Sequence, residues 1–171
     1  MFALQTRYLS FFFGLISILS FFNIIYSYYL NLYLNLDTYY GSFLISFFVS
    51  IIFYKIKTTQ KKLSIFDKIL TVFLGYLLLP LVLSIPFYFS IYNLTFLNSY
   101  FESISGFTST GFTIFENIKL IDQSLILWRS STQWIGGLYF LFSIIFLIDI
   151  YDENFKKTLT NYISFDSSEI F

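Results

Sequence analysis

A long stretch near the amino terminus carries no charge at all. No charged residue occurs between Arg7 and Asp37, and the apolar run from Tyr8 to about Leu30 exceeds the roughly 20 residues that a helix needs to cross a hydrocarbon core of about 30 Å. A cleaved secretory signal would have a shorter apolar core and a small-residue cleavage site, and residues 23–28 offer no Ala-x-Ala pattern. The run therefore predicts a retained transmembrane helix.

Three further apolar runs predict three further crossings. The shortest of them has about 16 residues, at the low end of the spanning range, but charged residues bracket it. Composition agrees, because 57% of the 171 residues are hydrophobic, only 12% are charged, and mean hydropathy is +0.72. We predict an all-α integral membrane protein with four transmembrane helices, the later three being residues 39–54, 69–92 and 125–148.

The basic residues predict an orientation. Cytoplasmic loops of membrane proteins are rich in lysine and arginine. With both termini inside, only Lys119 and Arg129 of the ten basic residues are left on the outer side. The others are then cytoplasmic, namely Arg7, Lys55, Lys57, Lys61, Lys62, Lys68, Lys156 and Lys157. We also expect most aromatic residues to face lipid or to pack, with an interfacial belt at Tyr39, Tyr40, Trp128 and Trp134.

Two missing residue types exclude several classes of function. The sequence has no cysteine and no histidine, which removes thiol nucleophiles, imidazole bases, most zinc sites and disulfides. Serine and threonine hydroxyls without a base within reach have no means of activation, so we do not expect an enzyme. A net charge of +0 gives no support to nucleic-acid binding.

The segment of residues 93–124, between the third and fourth crossings, is too long for a simple turn. Thr95 or Ser99 can cap a helix start, and Ser99 with Glu102 fits a capping box. A helix over residues 95–107 would be roughly half a bilayer long, which suits a re-entrant pore helix rather than a crossing. Its carboxyl end carries the negative end of the helix dipole and would favour a cation near the membrane centre.

The residues that follow this helix suit the dehydration of a monovalent cation. Backbone carbonyls and threonine hydroxyls can replace water oxygens, and Gly111 can adopt backbone angles closed to other residues. No carboxylate lies within the turn, so a divalent cation would lack its usual ligands. An ordinary outer loop rich in serine and threonine is the alternative reading of Thr108-Ser109-Thr110-Gly111-Phe112.

Two stretches together resemble a known family. Residues 101–113, FESISGFTSTGFT, and residues 127–137, LWRSSTQWIGG, are similar to the first pore repeat of the Trk and Ktr potassium transporters. In that family a repeat consists of an outer helix, a half-membrane pore helix, a filter strand and an inner helix, often preceded by two further helices. The resemblance covers roughly residues 5–155.

This resemblance implies a division of the chain. Two amino-terminal helices would occupy residues 1–57, one pore repeat residues 58–157, and a cytoplasmic tail residues 158–171. Within the repeat we expect an outer helix at 66–92, a pore helix at 95–107, a filter at 108–113 and an inner helix at 125–149. The fold class is therefore four transmembrane helices plus one re-entrant pore helix and filter loop.

The resemblance also implies an ion site. The transported ion would be K⁺, with no organic cofactor. The backbone carbonyls of one repeat would supply one quarter of a coordinating ring, with Phe112 behind it. These carbonyls belong to Thr108, Ser109, Thr110 and Gly111.

Four other residues are expected to support that site. Glu102 and Arg129 should pair near the filter, because an unpaired charge within the membrane costs at least about 2.5 kcal/mol. A charge-swapped double variant should then rescue a single one, whereas snorkelling of Arg129 to the headgroups is the alternative. Gly136 and Gly137 would let the inner helix approach the pore helix closely.

One repeat does not close a pore. The sequence has no second stretch like residues 106–111, so other copies or other chains would supply the missing repeats unless the chain is truncated, which we favour. The expected function is potassium transport by a Trk-type uptake subunit, or a fragment of one, in the bacterial inner membrane. A cytoplasmic nucleotide-binding regulatory ring is the partner that the family implies. A non-conducting remnant or assembly partner that keeps the filter sequence is the alternative.

Overall fold

The structure is a computed structural model that describes residues 5–56 and 65–166. The lysines at 57, 61 and 62 in the predicted basic loop, and residues 167–171 of the predicted tail, lie outside these ranges. Within them every regular element is helical. The elements are α1 Thr6–Tyr29, α2 Leu36–Lys55, α3 Ile65–Leu83, α4 Ile85–Tyr88, α5 Phe96–Phe107, a 3₁₀ turn at Ile118–Leu120, and α6 Gln123–Asp166.

Four stretches of helix are long and apolar enough to cross a membrane. They are Thr6–Tyr29, Leu36–Lys55, Phe66–Tyr88 and Gln123–Leu147. The prediction of an all-helical chain with four helices able to span a membrane is therefore confirmed. The remaining short helix, α5, lies between the third and fourth of these stretches and packs against α3, α4 and α6.

The first two helices form a hairpin with small polar residues at its contact. Ser10 Oγ donates to the Ser50 carbonyl oxygen and Ser50 Oγ donates to the Ser10 carbonyl oxygen, each at 2.8 Å. Small residues of this kind let helix backbones approach closely within a membrane. The hairpin packs on α6 through the rings of Tyr8 and Tyr139, whose centroids are 5.7 Å apart.

The predicted outer helix at 66–92 is two helices. The main helix α3 ends at Leu83, and Pro86 lies in the first turn of α4, where a residue without a backbone N–H is tolerated. Hydrogen bonds from Ser84 N to the Pro80 oxygen and from Tyr88 N to the Ser84 oxygen, both 2.9 Å, continue across the junction. The helix therefore ends earlier than predicted, at Tyr88.

The predicted inner helix at 125–149 is longer than expected. The helix α6 runs from Gln123 to Asp166, so it continues through most of the segment predicted as a tail. No glycine or proline occurs between Gly137 and Asp166, and the acidic and basic residues of that stretch are compatible with a helix. The helix α6 thus continues past the acidic residues Asp149, Asp152 and Glu153.

The predicted interfacial belt is wrong for two of its members. Tyr39 and Trp128 are fully buried, and Trp128 Nε1 donates to the Leu83 carbonyl oxygen at 3.0 Å. Trp134 is 58% exposed and Tyr40 is 40% exposed. Trp128 therefore joins α6 to the end of α3 and helps to hold the two helices that flank α5.

Candidate functional site

The helix α5 begins with a threonine cap. Thr95 has extended backbone angles, and its Oγ1 accepts from Asn98 N at 3.3 Å. Ser99 instead lies inside the helix and donates to the Thr95 carbonyl oxygen at 3.0 Å. The capping box predicted for Ser99 and Glu102 is therefore wrong, because the carboxylate of Glu102 is used elsewhere.

The carboxyl end of α5 lies beside the middle of the two membrane-length stretches Phe66–Tyr88 and Gln123–Leu147. A Cβ atom built on Gly136 would overlap the Phe107 carbonyl group, so only glycine permits this approach of α5 to α6. The Phe107 ring contacts Tyr76, midway along the stretch Phe66–Tyr88, with centroids 5.6 Å apart. At its other end α5 contacts Tyr88, through Phe96 at 6.3 Å. The helix thus extends from the end of α4 to about half the length of its neighbours.

The residues after α5 form a tight turn, which we call the glycine turn (residues 108–113). Its amides point back at the helix: Ser109 N donates to the Gly106 oxygen at 2.9 Å and Thr110 N to the Ser105 oxygen at 3.0 Å. Ser109 and Gly111 have φ angles of +56° and +79°, in the left-handed region. The backbone therefore reverses direction within three residues.

The same geometry leaves carbonyl oxygens without donors. Among the described residues, no hydrogen bond ends on the carbonyl oxygen of Thr108, Ser109 or Thr110, and all three residues are exposed. The Gly111 oxygen differs, because Arg129 Nη2 lies 3.4 Å from it. Three neighbouring acceptors are thus free on the open side of the turn.

Hydroxyl groups fasten the turn to the helix end. Thr108 Oγ1 donates to the Ile104 oxygen at 2.8 Å, and Thr110 Oγ1 donates to the Ser105 oxygen at 3.0 Å. Ser105 Oγ donates to the Phe112 oxygen at 2.7 Å. The threonine hydroxyls therefore hold the backbone, while their lone pairs still allow them to accept.

A buried ion pair lies behind the turn. The structure brings together Glu102 and Arg129, with Arg129 Nε 2.6 Å from Glu102 Oε1 and the carboxylate fully buried. The Nε–H is not aligned as a hydrogen bond to the carboxylate, so the contact is an ion pair by distance. Glu102 also accepts from Thr113 Oγ1 and from Ile114 N, each at 3.1 Å. One carboxylate thus joins α5, α6 and the far side of the turn.

Two residues of the predicted site lie elsewhere than expected. Phe112 is predicted to lie behind the carbonyls, but its side chain is 70% exposed. A Cβ atom added to Gly137 would meet no atom within 4 Å, so of the two glycines only Gly136 lies at the contact with α5. The ring of Phe112 is therefore exposed, as are the residues with free carbonyls.

Sequence reasoning missed Ser105 and Thr113. Ser105 contributes both its carbonyl and its hydroxyl to the turn, and Thr113 connects the turn to Glu102. The sequence feature that points to them is the pattern of α5, which is the reverse of a helix with an apolar buried face. The buried residues of α5 are mainly polar or small. Its exposed residues are instead mainly large and apolar, namely Phe96, Leu97 and Phe101, with Asn98 as the exception.

A cavity of about 410 Å³ opens beside the turn. Its lining includes Thr108 and Ser109 together with Tyr76, Gly136 and Phe140. It therefore borders two of the three residues whose carbonyls are free, and it extends along α6 to Phe140.

The fold and this turn define a multi-pass helical membrane protein with a short, half-length helix. The chain is 31% identical over 109 residues to an uncharacterized cation transporter of Methanocaldococcus jannaschii, covering 63% of this chain and 23% of that protein. It is 43% identical over 60 residues to the Trk system potassium uptake protein TrkI of Halomonas elongata, covering 35% of this chain and 11% of that protein. It is 37% identical over 70 residues to the Trk system potassium uptake protein TrkH of Escherichia coli, covering 40% of this chain and 14% of that protein.

These similarities confirm the resemblance to Trk-type potassium uptake proteins. The relatives are transport proteins rather than enzymes. The matched part spans less than a quarter of the length of each of these relatives. No protein-family model matches the chain. No solved structure matches it either.

Proposed function

We propose that this chain supplies one pore repeat of a Trk-type potassium uptake system, as a subunit or as a fragment of one. In this proposal α5 is a re-entrant pore helix, the glycine turn is one quarter of the filter, and α3–α4 and α6 are the outer and inner helices. The observation that carries it is the set of free carbonyl oxygens on Thr108, Ser109 and Thr110.

Such carbonyls are the groups that replace the hydration shell of potassium in a filter. The carboxyl end of α5 adds the negative end of its dipole at the same place. Gly111 supplies the left-handed backbone that turns the chain, and its own oxygen is shared with Arg129 at 3.4 Å. We therefore assign the strongest ion contacts to residues 108–110, with Gly111 completing the predicted set.

The position of α5 supports a re-entrant helix. Its amino end lies near Tyr88, at the end of the third crossing, and its carboxyl end lies at Gly136, midway along the fourth. If those two stretches span the bilayer, the turn lies near the membrane centre. By the positive-inside rule both termini would be cytoplasmic, and α5 would then enter from the outer side. The resemblance to Trk proteins adds the bacterial inner membrane as the expected location.

The exposed face of this repeat supports a need for further repeats. On α5, Phe101 is 43% exposed and Leu97 is 76% exposed. The free carbonyls at the carboxyl end of the helix would face lipid if no further repeat covered them. An unsatisfied backbone group in lipid costs several kcal/mol, so other repeats must cover this side. They come from further copies or from other chains, and a cytoplasmic nucleotide-binding ring is the regulatory partner that the resemblance adds.

The alternative is a non-conducting remnant or assembly partner. The two proposals differ in one property: only a conducting repeat retains function when its turn is placed among the three repeats of a working transporter.

Two arms of one growth experiment decide between them. A strain lacking potassium uptake receives either the whole chain or a chimera in which residues 66–147 replace the matched stretch of the Escherichia coli relative. Growth at low potassium with the whole chain means that copies of it close the pore, and growth with the chimera alone means that other repeats are needed. No growth with a chimera that is present in the membrane contradicts conduction. A smaller exchange of residues 95–114 keeps the test decisive if the larger one is not inserted.

A further inference from the structure

A second cavity lies far from the glycine turn, between the first two helices. This groove, which we call the hairpin groove, has a volume of about 710 Å³. Its walls are mainly apolar, with Phe11 and Ile18 on α1 and Phe43 and Phe47 on α2. Pockets of this size and lining are typical of sites for small apolar ligands.

One end of the hairpin groove carries a positive charge. Arg7 lines that end together with Tyr54, and the side chain of Arg7 is exposed. No ion pair or hydrogen bond of the Arg7 side chain occurs among the residues that the structure describes. The first turn of α1 contains no acidic residue, so the positive end of the helix dipole adds to the guanidinium charge.

A second cation lies at the same end of the hairpin. The pairing of Ser10 with Ser50 places Arg7, one turn earlier on α1, level with the last turn of α2. Lys55 closes that last turn and is exposed. Arg7 therefore places one positive charge at the mouth of the apolar groove, and Lys55 adds a second charge at the same end of the hairpin.

We propose that the hairpin groove binds an anionic phospholipid, with one acyl chain along the groove and the phosphate at Arg7. Between Arg7 and Phe21 the groove follows about 21 Å of helix, against about 15 Å for one leaflet of the hydrocarbon core. A whole acyl chain therefore fits along it. Basic pockets between transmembrane helices on the cytoplasmic side are suited to anionic headgroups.

This site is independent of the proposed ion pathway, because none of its lining residues belongs to α5, α6 or the glycine turn. Gly14 and Ser50 both line the groove, and a Cβ atom on Gly14 would lie 3.4 Å from Ser50 Oγ. A large side chain at position 14 would therefore fill the groove without overlapping the backbone. Gly41, where a Cβ atom would meet nothing within 4 Å and which does not line the groove, is the matched control.

Native mass spectrometry of the whole chain in detergent tests the headgroup. The probes are phosphatidylglycerol and phosphatidylcholine with identical acyl chains. The wild type should bind the anionic lipid about five-fold more tightly, and Arg7→Gln should abolish that preference. Lys68→Gln removes a lysine charge on α3, where Lys68 Nζ lies over the Phe146 ring and does not line the groove, and should retain the preference. Equal binding of both lipids by the wild type, or an equal loss in Lys68→Gln, would overturn the proposal.

The same measurement tests the groove itself. Gly14→Leu should reduce binding of both lipids at least five-fold, whereas Gly41→Leu should bind them as the wild type does. A wild-type dimer that carries no lipid and dissociates in Gly14→Leu would show that a second copy of the chain fills the groove, and the lipid proposal would be wrong.

Discussion

Glu102 makes more contacts than a simple ion pair requires. Its carboxylate accepts from the Thr113 hydroxyl and the Ile114 amide as well as lying 2.6 Å from Arg129. An arginine at position 102 would place donors against both the hydroxyl and the amide. The charge-swapped double variant is therefore not expected to rescue, although the two residues do lie together.

Removal of one charge is a more direct test of the interaction between Glu102 and Arg129 than a charge swap. Glu102→Gln leaves Arg129 buried without a counter-charge, which should lower the free energy of unfolding by about 3–5 kcal/mol. The double variant Glu102→Gln with Arg129→Gln removes both charges and should cost less than Glu102→Gln alone. Unfolding in mixed micelles measures all three proteins. Strictly additive losses would contradict a direct interaction between the two side chains.

At the scale of elements, the contact between α5 and α6 depends on one glycine. A Cβ atom on Gly136 overlaps the backbone carbonyl of Phe107, which cannot move aside as a flexible side chain would. Gly136→Ala should therefore destabilise the protein by about 1–3 kcal/mol, as overpacking does. Its thermal unfolding in detergent measures this loss.

The neighbouring glycine provides the control. Gly137 faces open space, and alanine is the better helix former by about 1 kcal/mol, so Gly137→Ala should be neutral or slightly stabilising. Equal effects of the two substitutions would show that α5 does not pack on α6 as described.

Hydropathy and capping rules predict these elements unevenly. The four long helices follow from long apolar runs, of which the fourth contains Arg129, and the start of α5 follows from Thr95. The end of α3 cannot be predicted in this way, because most residues on both sides of it are apolar. The length of α6 cannot be predicted in this way either, because charged residues end a membrane span without ending a helix.

Burial is the least predictable property of the chain. In a membrane both the packed and the lipid-facing residues are apolar, so hydropathy gives no reason to place Trp128 inside and Trp134 outside. The polar side chains of α5 are buried for a reason that appears only in three dimensions. Glu102 and Ser103 meet Arg129 and the Pro80 carbonyl there. The resemblance to Trk proteins predicted the position of the turn, but only the structure shows which of its carbonyl oxygens accept no hydrogen bond.

At the scale of the whole molecule, the exposed surface is incomplete for a conducting protein. The residues with free carbonyls, the ring of Phe112 and the large apolar residues of α5 are all exposed. A single repeat offers a cation only a part of the proposed ring of ligands. The proposed function therefore requires that further repeats meet around the glycine turn, whereas the hairpin groove on α1 and α2 remains available to lipid.

Potassium uptake by the chimera that carries residues 66–147 tests the central claim most directly. Gly111→Ala introduces no overlap, because nothing lies within 4 Å of the new Cβ, but its φ of +79° strains any other residue by about 1–2 kcal/mol and should redirect the carbonyls. We predict that this variant is inserted normally and loses potassium uptake at least ten-fold, while Gly137→Ala retains it. Undiminished uptake by Gly111→Ala would contradict the assignment of the glycine turn as an ion filter.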